Sequence, residues 1–101
     1  MRIIIHRRSS TKPERIFYEI LKRNHIPFKY HIIVDGREID FIIGNYAIEI
    51  DGHVQSSLRN AWLLSKGYQL VHYRNSALLN NRLVIEEDIK SKYGIQSKTT
   101  P

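Results

Sequence analysis

Three acids stand in stretches that are otherwise apolar: Asp40 in Glu38-Ile39-Asp40-Phe41-Ile42-Ile43, and Glu49 and Asp51 in Tyr46-Ala47-Ile48-Glu49-Ile50-Asp51-Gly52. Read as strands, with side chains alternating between two faces, Ile39, Phe41 and Ile43 point one way while Glu38, Asp40 and Ile42 point the other. In the next strand Ile48 and Ile50 oppose Ala47, Glu49 and Asp51. If the apolar faces share a core, Asp40, Glu49 and Asp51 converge on the opposite side. Clustered carboxylates repel unless a cation lies between them. A divalent metal is one such cation, because Mg²⁺ takes hard oxygen ligands, one or two carboxylates together with waters and substrate phosphates. The alternative is a solvated face whose acids pair with Arg37, Lys66 or Arg74. Glu14 is a fourth candidate, at the edge of the helical stripe made by Phe17 and Leu21. Its local alternative is to cap the helix by bonding to Thr11.

The elements that must hold these residues follow from the chain's punctuation. Thr11-Lys12-Pro13-Glu14 is a helix start, with a Thr cap, Pro in the first turn and Glu three residues after the Thr. Ile16, Phe17, Ile20 and Leu21 continue on one face, and Pro27 closes the helix near Asn24. Residues 28–34, 38–43 and 46–51 form three strands, joined by Asp35-Gly36 and Gly44-Asn45, and so make an antiparallel meander. Leu58, Ala61 and Trp62 recur at helical spacing up to Gly67, residues 68–73 form a fourth strand broken at Asn75-Ser76, and residues 81–93 form a last helix ending at Gly94. The order is α-β-β-β-α-β-α. The fold class is α/β with an α+β leaning: a central mixed sheet of about four strands with flanking helices, the third and fourth strands able to pair in parallel through a crossover.

Length and composition bound the reading. The chain has 101 residues, 42% hydrophobic and 26% charged, which suits one globular domain over residues 1–95 with a polar tail at 96–101. No apolar run is long enough to span a membrane, the N-terminal run Ile3-Ile4-Ile5 is too short for a secretory signal, and no face reads as a basic amphipathic membrane helix. The lack of cysteine excludes disulfides and thiolate metal sites and suits a reducing cytoplasm. Sixteen Lys and Arg against ten Asp and Glu leave a net charge of +6, which favours a polyanionic partner. Three of only ten acids gathered on two strands of such a chain call for a reason.

The ordered set Pro13-Glu14-x-x-Phe17-x-x-x-Leu21, Phe28, Arg37-Glu38-Ile39-Asp40-Phe41 and Ile48-Glu49-Ile50-Asp51-Gly52, continuing through Arg59, Leu63, Gly67-Tyr68 and Tyr73-Arg74-Asn75, resembles one group of nucleases. It is similar to the very-short-patch-repair-like branch of the restriction-endonuclease-like superfamily, PD-(D/E)XK, to which the EDxHD homing endonucleases also belong. The resemblance covers roughly residues 11 to 90. It implies metal-dependent hydrolysis of phosphodiester bonds in double-stranded DNA, with Asp40, Glu49 and Asp51 around Mg²⁺ (Mn²⁺ able to substitute) and Glu14 as the first-helix acid of the family. The position of Asp51 is usually Lys in the wider superfamily, so a second metal or a His would have to do the work of the missing cation. Relatives often carry His four residues after this Asp; here Gln55 stands there and His53 lies two residues earlier, so the water-orienting role falls to His53 or Gln55.

Arg7, Arg8, Lys12, Arg15, Lys66 and Arg74 are candidate phosphate contacts, which need positive charge more than sequence information. His6, His25, His31 and His72 are isolated and read as non-catalytic, and Trp62 as a core or partly buried residue. With no separate DNA-reading module in view, the expectation is the catalytic part of a phage or intron homing endonuclease, with specificity coming from a further domain or from a homodimer. The rival readings are a catalytically inactive DNA-binding module of the same fold and a repair nickase or junction resolvase.

Overall fold

The computed structural model describes residues 11–51, Asp51 through its backbone, and residues 57–94. The N-terminal arm, the link after the third strand and the polar tail lie outside the described residues. The elements are α1 (Lys12–Arg23), β1 (Lys29–Val34), β2 (Arg37–Ile43), β3 (Tyr46–Asp51), α2 (Ser57–Ser65), β4 (Gln69–Arg74), α3 (Asn75–Asn80) and α4 (Arg82–Tyr93). None of the described helices is long and apolar enough to cross a membrane.

α1 starts as its sequence dictates. The Thr11 hydroxyl accepts the Glu14 N–H at 3.3 Å, and the Glu14 carboxylate accepts the Thr11 N–H at 3.2 Å. At the other end His25, with φ of 55°, takes the left-handed position of a C-terminal cap. Its N–H reaches the Lys22 carbonyl, and the Ile26 N–H reaches that of Leu21. The helix buries Ile16, Phe17, Ile20 and Leu21.

The four strands lie in the order β1-β2-β3-β4, antiparallel except for the parallel β3–β4 pair that α2 bridges. Asp35 and Gly36 both have positive φ, 51° and 77°, as a two-residue turn between right-twisted strands requires. Helices cover both faces of this mixed sheet. On one face Phe41, Ile43, Ile48, Ile50 and Tyr73 pack with Phe17, Ile20 and Leu21 of α1, Leu78 of α3, and Ile89 and Tyr93 of α4. On the other, Ile32, Ile39, Ile42 and Ala47 pack with Leu63 of α2. The Tyr73 hydroxyl donates to Asp88 Oδ2 at 2.9 Å and lies 3.1 Å from that of Tyr93, tying β4 to α4. Burial raises the pKa of both phenols, that of Tyr93 to about 12.

The architecture is the expected one, with two corrections of detail. Asn75-Ser76 does not simply end the fourth strand: it opens α3, a six-residue helix whose Leu78 is wholly buried. A helix this short has too few turns to show a period, and packing rather than propensity holds it. Strict alternation also fails in β2. Ile39 lies with Ile42 and Ala47 on the α2 side, not with Phe41 and Ile43. The cause is His31, which sits in mid-strand at φ 53°, a conformation few non-glycine residues adopt. Pairing runs Tyr30↔Phe41 and then Ile32↔Ile39, skipping His31 and Asp40, and both strands change faces across that step.

Candidate active site

Asp40 stands at the step where the strands change faces. Its Oδ2 accepts the main-chain N–H of Ile50 at 2.8 Å, fixing the carboxyl against β3. Its pKa is pushed up to about 7, chiefly by burial, with the charges of Glu49 and Glu14 adding to the rise. The Ile50 N–H and His31 act in the opposite sense, too weakly to cancel it. Glu49 lies across from Asp40, one step past the Phe41↔Ile48 pair. Its Oε2 accepts from Arg59 Nη2 at 2.8 Å, and the same nitrogen donates to the Glu38 carbonyl at 2.8 Å.

α2 delivers Arg59. Arg59, Trp62 and Leu63 share one helical face through i, i+3 and i, i+4 spacing, and the fully buried Leu63 turns that face toward the sheet. The Arg59 guanidinium lies 5.7 Å from the centre of the Trp62 ring and that of Arg37 lies 4.7 Å from it, giving a layer of two cations on one indole.

The structure thus brings Asp40 and Glu49 side by side and places Glu14 near enough for its charge to be felt at Asp40, while Glu14 also completes the α1 cap. Asp51 ends β3 opposite Arg74 of β4; its side chain, like His53, Gln55, Arg7 and Arg8, lies outside the described residues. Lys12 and Arg15 line a cleft of about 350 Å³ with Arg23 and Arg82. Lys66 pairs with Asp35 in the β1–β2 turn, and Arg74 is exposed at the end of β4. The cation on Glu49 is therefore Arg59, not Arg37, Lys66 or Arg74.

Among the described residues no group of three or more His, Asp and Glu side chains is gathered to hold a metal ion. Asp40 and Glu49 are a hard-oxygen pair of the kind Mg²⁺ takes alongside waters and phosphate oxygens. A cation between them would offset the repulsion that raises the pKa of Asp40. In donor chemistry the residues fit the ion.

Three residues around this pair have no role that the sequence alone suggests. Arg59 enters the nuclease resemblance only as a matching position. His72 pairs with Glu49 in the β3–β4 register, which no local pattern reveals. His31 is 5% exposed, with Nδ1 2.5 Å from Glu38 Oε2.

No protein-family model matches the chain, and no curated protein sequence matches it. A solved structure does: the catalytic domain of the homing endonuclease I-Bth0305I is 28% identical, with a TM-score of 0.66, over 81% of this chain and 93% of that domain. A four-stranded mixed sheet in this order, with helices on both faces, is the fold of a homing endonuclease catalytic domain.

Proposed function

We propose that this chain is a metal-dependent DNA endonuclease domain of the very-short-patch-repair-like branch, serving as the catalytic part of a homing endonuclease. The observation that carries the reading is the pair Asp40 and Glu49, held on adjacent strands, with Asp40 destabilised as an anion by burial and by its acidic neighbours. The likeness to a homing endonuclease catalytic domain supports it, and so does the net charge of +6, which suits a phosphate backbone.

In this reading Asp40 and Glu49, with Asp51, hold Mg²⁺ or Mn²⁺. When bound, the ion offsets charge on the phosphate and lowers the pKa of a bound water. The Ile50 N–H fixes the plane of the Asp40 carboxyl, and Arg59 holds Glu49. Hydrolysis joins a water oxygen to phosphorus and breaks the bond to the 3′ oxygen. That oxygen leaves with the electron pair and takes a proton, giving 5′-phosphate and 3′-hydroxyl ends. His53 or Gln55 orients the water.

Supercoiled plasmid incubated with Mg²⁺ tests this, beside EDTA and an Asp40→Ala variant. The expected result is nicked or linear product that disappears in both controls. DNA that is bound but left uncut in Mg²⁺ and in Mn²⁺ would reduce the chain to a binding module.

A further inference from the structure

Resting on the nuclease reading, we propose that Arg59 supplies the positive charge this site lacks on β3, holding Glu49 before DNA arrives and donating to a non-bridging oxygen of the scissile phosphate. The residue two beyond Glu49 is the acid Asp51, so the strand itself brings only negative groups. Phosphoryl transfer spreads negative charge over the phosphate oxygens in its transition state, and fixed donors at those oxygens account for much of catalysis. Some other element must provide them.

α2 provides one, in a place that is built rather than incidental. Arg59 Nη2 bridges the β3 carboxylate of Glu49 and the β2 carbonyl of Glu38, both at 2.8 Å. It therefore sits across the two strands that carry the acids. The two bonds come from one corner of a planar fork with five N–H donors, a shape that matches a phosphate as well as a carboxylate. Its side chain is 28% exposed while that of Glu49 is 13% exposed, so part of the arginine reaches solvent although its Nε is buried. Trp62 braces it from α2 with Arg37 on the same ring. Leu63, one turn further along α2, is wholly buried and fixes the approach of the helix to the sheet. The work assigned from sequence to a second metal or a histidine thus falls to an arginine on the crossover helix.

The test compares plasmid cleavage in Mg²⁺ by the wild-type chain, Arg59→Ala and Arg59→Lys. Binding of a duplex in EDTA and melting temperature are measured for each. Arg59→Ala should cleave about 10²-fold more slowly, the cost of removing one preorganised donor, with duplex affinity much less affected. Millimolar guanidinium should restore part of its rate, and Arg59→Lys should fall between. A folded Arg59→Ala that cleaves within threefold of wild type overturns the inference and leaves the nuclease reading standing. So does a loss that neither Lys nor guanidinium recovers, since that marks packing alone. If Arg59→Ala does not fold, Arg59→Lys decides: a tenfold loss at unchanged melting temperature supports the role, and equal cleavage overturns it. A wild-type chain that cuts nothing removes both readings together.

Discussion

If Asp40 holds the metal as proposed, it is the residue at which stability and activity are set against each other. Its ordinary pKa is near 3.8 and the folded chain raises it to about 7. Well below its ordinary pKa the carboxyl is protonated whether the chain is folded or not, and its burial is fully tolerated. Between pH 4 and 7 the unfolded chain ionises while the folded one resists, so stability falls as pH rises through that window. Above it, the folded chain carries a buried anion at a cost on the order of a few kcal/mol. In EDTA, Asp40→Asn should therefore be more stable than wild type at pH 8, with most of that advantage gone at pH 4, as urea unfolding at the two pH values would record. An Asn oxygen can still accept the Ile50 N–H, so the difference isolates the charge. The same anion at pH 8 is what the proposed role as a metal ligand requires.

At the scale of elements, what could be read from the chain was what local chemistry decides. Thr11, Pro13 and Glu14 fix the start of α1, and Asp35-Gly36 fixes the first hairpin, because each uses donors or dihedrals within a few residues. The facing of Asp40 and Glu49 was legible for the same reason, since one tight turn sets the register between their strands. Three features were hidden. The face change at His31 depends on an unfavourable φ that nothing in Tyr30-His31-Ile32 announces. The Arg59–Glu49 pair depends on how α2 returns over the sheet, and α3 depends on burial of Leu78 against α1 and α4. α3 can be checked directly. Leu78→Ala should cost about 2–5 kcal/mol by chemical denaturation, as buried Leu truncations do, whereas Leu79→Ala, at a residue 45% exposed, should cost far less. Equal costs would mean that α3 is not docked as described.

Over the whole molecule, charge is divided by place as well as by number. The acids of the site lie between β2 and β3, while Lys12, Arg15, Arg23 and Arg82 line one cleft beside α1, with Glu19 the acid among them. Arg23 is held there by Glu86, with Nη2 at 2.9 Å from its Oε1. If the chain binds DNA as proposed, these four cations are candidates to meet its phosphates. Replacing Lys12 and Arg82 by Ala should weaken duplex binding, and the slope of log affinity against log salt should become shallower by about 0.9 for each phosphate that is no longer neutralised. Fluorescence anisotropy at several salt concentrations would measure it, and an unchanged slope would put the DNA elsewhere.

One feature of α2 bears on how such a chain behaves in time. Of its nine residues only Leu63 is fully buried, against five buried positions in α1. A helix with a single buried anchor is expected to open at a lower free energy than the sheet and α1, which hydrogen exchange would record. Such opening would part Arg59 from Glu49 and leave the Asp40–Ile50 bond, which lies within the sheet, in place. On the proposed function, the chain would then lose its chemistry without losing its shape.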